Sequence, residues 1–174
     1  MNLRFTPPHD QEPGLIASML KRSYEELIDS DQEHWGPEVS KWEQFDREVF
    51  QHSDTVGSCA FLSWSQDQLV GFGSYDARQK PEFGIVGHNC ILPEFRGRGF
   101  GKQQIQEILR RFNALGIRLV KVSTNDHPFF APAQRMYTAC GFRETGRRAW
   151  DGDPSQSMIE YEKRLDNKSM ETTS

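Results

Sequence analysis

Between residues 93 and 102 the chain reads Pro-Glu-Phe-Arg-Gly-Arg-Gly-Phe-Gly-Lys, with Gly97, Gly99 and Gly101 at alternate positions among Arg96, Arg98 and Lys102. Such a run turns tightly and aims several backbone N–H groups at one anion. A helix starting there adds the positive end of its dipole. The chemistry is capture of a pyrophosphate, and the three cations suit a ligand with more than one phosphate. Gly101-Lys102 is followed by Gln103, whereas the phosphate loop of nucleotide hydrolases needs Ser or Thr there. A dinucleotide loop needs another glycine spacing and an early place in the chain.

Other residues offer proton or nucleophile chemistry. Tyr137 carries a phenol in a short helical stretch, and His88 lies in a strand-like run with an intrinsic pKa suited to a general base. Glu26, Asp126 and a water chain stay open as alternative bases. Cys90 lacks a suggested His and Asp arrangement, so packing is the better reading. Asp151-Gly152-Asp153 reads as a β-turn, and no metal is implied. Cys59, Cys90 and Cys140 are too far apart in sequence for a zinc or dithiol motif and read as reduced packing residues.

These groups need elements to hold them. Residues 3–5 open as a strand, and Ile16, Met19, Leu20, Ser23 and Leu27 recur at helical spacing after Pro13. A polar loop is expected at 29–36. A second helix is expected at 37–52, with Val39, Trp42, Phe45 and Val49 as its apolar stripe. Residues 55–64 and 69–76 read as a hairpin, and 84–92 as one further strand. Ile105, Ile108, Leu109, Phe112 and Leu115 form the face of a helix that Gly116 ends. Then come a strand at 118–124, a helix at 132–141, and strands at 142–150 and 157–165 around a turn at 151–154. The expected architecture is a mixed α/β sheet with a βαβ crossover, one domain over 1–165, and a disordered polar tail at 166–174.

The 174 residues carry a formal net charge of -4 and no stripe of cations interleaved with aromatics, which disfavours a nucleic-acid partner. No apolar run reaches membrane-spanning length, and residues 1–10 lack the pattern of a signal peptide, so no membrane association and a cytoplasmic location are expected.

Residues 91–101, Ile-Leu-Pro-Glu-Phe-Arg-Gly-Arg-Gly-Phe-Gly, resemble the acyl-CoA loop of the GNAT superfamily of N-acetyltransferases, with Arg96, Gly99 and Gly101 on its defining positions. Residues 133–142, from Ala133 through Tyr137 to Gly141-Phe142, resemble the family's late helix and the glycine-aromatic pair that closes it. The resemblance implies the GNAT acyl-CoA N-acyltransferase fold: a twisted, mostly antiparallel sheet flanked by helices, whose central parallel strands, here 84–92 and 118–124, splay apart. It implies direct acetyl transfer from acetyl-CoA to a primary amine of a small molecule, without a metal.

The implied cofactor-binding set is Ile91, Arg96, Gly97, Arg98, Gly99, Phe100, Gly101, Lys102 and Asn125. Asn125 stands in for the asparagine that many members carry where this chain has Phe130. Backbone N–H groups near Ile91 would polarise the thioester carbonyl, and Tyr137 would donate a proton to the departing thiolate. Tyr24, Glu25, Trp35, Trp42 and Trp150 are the candidate acceptor contacts. A peptide or protein acceptor, a non-catalytic acyl-CoA sensor and a nucleotide-binding module are the competing readings. An exposed edge strand leaves room for a homodimer.

Overall fold

The computed structural model describes residues 2–166, so the expected disordered tail lies, apart from Asp166, outside the described residues. Strand β1 (Arg4–Thr6) leads into helices α1 (Leu15–Ser30), α2 (Gln32–Trp35) and α3 (Glu38–Gln51). Strands β2 (Ala60–Ser65), β3 (Gln68–Asp76), β4 (Gly84–Val86) and β5 (Cys90–Ile91) follow. The chain closes with α4 (Phe100–Ala114), β6 (Leu119–Asn125), α5 (Ala131–Ala139), β7 (Arg143–Trp150) and β8 (Asp153–Arg164).

The strands form a mixed sheet in the order β1-β2-β3-β4-β6-β8-β7, with β5 paired to β3 beside that path. Side chains alternate across it. Phe61 of β2 joins the core under α4 and α5 with Ile105, Ile108, Phe112, Val120 and Tyr137. Its neighbours Ala60 and Leu62 join Ile16, Leu20, Trp42, Val49 and Phe72 under α1 and α3.

The expected single strand at 84–92 is broken. Val86 pairs with Tyr75, whereas Cys90 pairs with Phe72, so four residue steps on one strand oppose three on the other. That is a one-residue bulge at 87–89. Ser74 fixes it: its carbonyl accepts from Gly87 N at 2.8 Å, and its buried hydroxyl donates to the His88 carbonyl at 2.6 Å. Parallel pairing of β4 with β6 is confined to Gly84↔Val120 and Ile85↔Lys121. Beyond those pairs β5 bonds to β3 and the rest of β6 to β8, so a fork opens between the two central strands.

Three further expectations shift. Residues 29–36 hold the one-turn α2, because Asp31 accepts from His34 N at its start. Leu115 is 42% exposed and lies off the apolar face of α4. The closing hairpin is tighter than expected, with β8 beginning at Asp153 opposite Trp150.

Helix α1 has no side-chain cap of its own at Gly14. Its first amides bond instead to the buried carboxylate of Asp46 in α3: Gly14 N at 2.7 Å, Ile16 N at 2.9 Å and Ala17 N at 3.1 Å. A negative charge at a helix N-terminus is favourable, and here it also joins two helices.

Candidate active site

The glycine loop sits where the sequence places it, between β5 and α4. Gly97 and Gly99 have φ of 75° and 78°, and Gly99 is the N-cap of α4. Nothing lies within 4 Å of where their Cβ atoms would be. No side chain caps α4, so its first-turn N–H groups form an anion site facing open space. Phe100 is buried and can offer only its backbone. Gly101 presses on Met136 of α5, whose Sδ lies 2.8 Å from an added Cβ. Lys102 is exposed, while Arg98 lies over the Phe95 ring at 5.5 Å and donates to the Glu94 carbonyl at 3.1 Å.

Arg96 departs from the expectation of a phosphate-facing cation. Its Nη2 donates to the Ser23 carbonyl of α1 at 2.6 Å and its Nε to the Ile91 carbonyl of β5 at 3.2 Å. The guanidinium also lies 5.8 Å from the centre of the Phe129 ring. Backbone carbonyls hold it, and it joins α1, the loop and β5.

At the fork, Tyr137 of α5 is buried, with its phenol near the side-chain amide of Asn89 in the bulge. Burial pushes its pKa up and the nearby Asn89 amide opposes this only in part, so the phenol stays protonated at neutral pH. Asn89 also donates to the Gly87 carbonyl at 3.0 Å. Ile91 is half-buried, close to where a Cβ on Gly101 would reach. Gln104 of α4 fixes β5 from below, donating to Ser63 Oγ at 2.8 Å and to the Cys90 carbonyl at 3.3 Å.

Asn125 closes the far side of the fork. Its Oδ1 accepts from His127 N at 2.7 Å and its carbonyl accepts from Gln134 Nε2 at 3.1 Å. Its Nδ2 is buried without a partner, a vacant donor at the end of β6. That donor, the uncapped α4 terminus and the parted strands form an arrangement that could take a long ligand carrying an anion at one end. Phe130, where an asparagine was expected, turns away to pack on Tyr24 and Trp35.

His88 packs on Phe45 of α3 at 4.9 Å while its ring keeps contact with solvent. The protein crowded around it lowers its pKa, against a smaller opposite pull from Glu38, so the imidazole is neutral at neutral pH and can accept a proton. Asp126 is committed elsewhere, accepting from Ser157 N at 2.9 Å, and Glu26 is exposed on α1. The thiol of Cys90 is buried next to Ser23, and burial pushes its pKa up to about 11, which keeps it from acting as a thiolate.

The expected acceptor contacts divide. Trp35, Trp42 and Trp150 are buried at 6%, 4% and 9% exposure, so they are packing residues rather than open walls. Glu25 is exposed, and Tyr24 alone of the five is part-open next to Tyr137 and Arg96. Asn89 was missed, because nothing in residues 84–92 announces the bulge that turns it to Tyr137.

The sequence matches the model of the acetyltransferase (GNAT) family over residues 21–142. The chain belongs to the GNAT acetyltransferase family. No curated protein matches it in sequence. Among solved structures, a GNAT-family protein from Desulfovibrio desulfuricans assigned as an acetyltransferase is 17% identical. That pair covers 93% of this chain and 98% of the other, with a TM-score of 0.70. A Bacillus subtilis acetyltransferase in complex with CoA is 13% identical over 95% and 99% of the two chains, with a TM-score of 0.60. A Bacillus anthracis protein assigned as a streptothricin acetyltransferase, with acetyl coenzyme A bound, is 15% identical over 61% of each chain, with a TM-score of 0.54. This GNAT acetyltransferase shares their fold, and as a family member it is an acyl-CoA-using N-acetyltransferase. No helix among the described residues is long and apolar enough to cross a membrane.

Proposed function

We propose that this GNAT acetyltransferase moves an acetyl group directly from acetyl-CoA to a primary amine of a small molecule, within a single domain over 1–165. The observation that carries the reading is the protonated Tyr137 phenol, buried near Asn89 at the fork; a cosubstrate with its phosphates on the loop at 97–102 would bring its thioester to that fork. The amine nitrogen bonds to the acetyl carbon and the C–S bond breaks. Tyr137 supplies the proton that the departing sulfur takes up, and His88 receives the proton lost by nitrogen. Backbone donors at the bulge and β5 stabilise the developing oxyanion.

A small acceptor is favoured because Trp35 and Trp150, stacked at 4.2 Å, join α2 to the β7–β8 turn on the acceptor side, which narrows the route a peptide would take. The cytoplasm suits the three free thiols.

Thermal stabilisation by acetyl-CoA, CoA, ATP and NAD, followed by amine-dependent thiol release, tests the reading. Stabilisation by the two CoA species with release is expected. Gly99→Glu, which places bulk and negative charge on the anion site, should abolish the shift. Stabilisation by ATP or NAD but not by CoA overturns the proposal.

A further inference from the structure

The wall beside the Tyr137–Asn89 pair is made of rings. Tyr24 stacks on Trp42 at 5.1 Å with 26° between planes, and its centroid lies 5.7 Å from Phe129 and 5.9 Å from Phe130. Trp35 lies 5.4 Å behind Phe130. The tryptophans are buried, whereas Tyr24, Phe129 and Phe130 each keep part of their surface open. The buried rings therefore hold the open ones in place as a preformed apolar face.

Charge is arranged sparsely there. The cation at this wall is Arg96, whose guanidinium lies 5.8 Å from the centre of the Phe129 ring and is already held by two carbonyls. Arg96 also occupies the face of Phe129 that could have drawn an ammonium. Beyond it, Glu38 acts on His88 but is paired with Lys41 at 2.6 Å. An ammonium group entering past these rings meets that cation on the face of Phe129, and the carboxylate that acts on His88 is already paired with Lys41.

Resting on the acetyltransferase reading, we infer that the acceptor is a weakly basic primary amine, an α-amino or aromatic amine, attached next to a flat apolar group that packs on Tyr24, Phe129 and Phe130. The nitrogen must arrive unprotonated to attack the acetyl carbon. With reference pKa values near 8 and 10.4, about one α-amine in ten is free at neutral pH, against about one lysine-type amine in 2,500. A neutral imidazole can take the proton released as the N–C bond forms, but it cannot strip an alkylammonium in advance. A free amino-acid derivative and a peptide N-terminus share this chemistry, and one arm of the test separates them.

Initial rates of thiol release at neutral pH, with saturating acetyl-CoA and the full chain, are compared for six amines. They are phenylalaninamide, alaninamide, phenethylamine, Nα-acetyl-lysinamide, spermidine and a tetrapeptide with N-terminal Phe. Phenylalaninamide should exceed alaninamide and phenethylamine by about tenfold or more in kcat/KM. Phe129→Ala should erase the preference over alaninamide while keeping stabilisation by acetyl-CoA. With that ranking in hand, a tetrapeptide equal to phenylalaninamide places the acceptor on a peptide end, and a much poorer one places it on a small molecule. Spermidine or Nα-acetyl-lysinamide matching phenylalaninamide overturns the inference and leaves acetyl transfer intact. Stabilisation by acetyl-CoA with no amine turned over also overturns it. Loss of acetyl-CoA stabilisation strikes the acetyltransferase reading itself.

Discussion

Arg96 Nη2 donates to the Ser23 carbonyl at 2.6 Å, so the first helix and the glycine loop are fastened to each other by one side chain whose second bond, to the Ile91 carbonyl, reaches the strand at the fork. The loop's cations therefore do different work. Arg96→Ala should lower kcat and cost about 2 kcal/mol of stability, because charged hydrogen bonds to carbonyls are lost. Lys102→Ala should instead raise the KM for acetyl-CoA and flatten its salt dependence. Steady-state kinetics and urea denaturation of both variants check the split; a raised KM alone for Arg96→Ala would return that residue to the phosphates.

Tyr137→Phe removes the phenolic proton and keeps the ring that packs on Phe142 and Tyr161. Turnover should fall by about 10²-fold or more, with acetyl-CoA affinity unchanged. Single-turnover rates with matched binding measurements decide it. An unchanged rate takes Tyr137 out of the proton transfer.

The folded pKa of His88 lies below its unfolded value near 6.5, so kcat/KM should rise with pH along a limb whose midpoint is below 6.5. The unfolded chain binds the His88 proton more readily than the folded one. The residue therefore favours unfolding as pH falls through 6.5 toward the folded pKa, and its contribution to stability is regained as pH rises back across that window. His88→Gln should remove the acid limb, and a pH-rate profile in which the limb survives would assign the base elsewhere.

Asp46→Ala strips the partner from three helix-start amides at once and should cost about 2–4 kcal/mol, lowering Tm by roughly 2–4 °C for each kcal/mol. Asp46→Asn, which keeps one acceptor oxygen, should lose less. Thermal denaturation ranks them, and acetyl transfer measured well below Tm should persist in both.

Much of this was legible because strong local rules governed it. The helical spacing of Ile105, Ile108 and Phe112 and the alternating glycines before them lie on one continuous stretch, so α4 and its anion-binding start follow from chain-local physics. Asp46 left a trace that went unread: it falls between Trp42 and Val49 on the apolar stripe of α3, where a carboxylate must find donors. Asp31, placed just ahead of a turn with a histidine three residues on, was likewise a helix-start signal for α2. The bulge at 87–89 and the turning of Arg96 toward Ser23 depend on partners 14 and 73 residues away, and no spacing pattern encodes such pairings.

The extra residue in the bulge also sets a reading frame. In an unbroken strand Val86 and Cys90, four apart, would point the same way; here Val86 packs under α4 and α5 while Cys90 packs under α1 and α3. Deleting one residue from 87–89 would set three steps against three, keeping Val86 and Cys90 on their present opposite faces while removing the bulge that Ser74 holds. The bulge thus leaves the two helix layers as they are and serves the residues it carries: His88, Asn89, and Gly87, where an added Cβ would come within 2.6 Å of Ser74 Oγ.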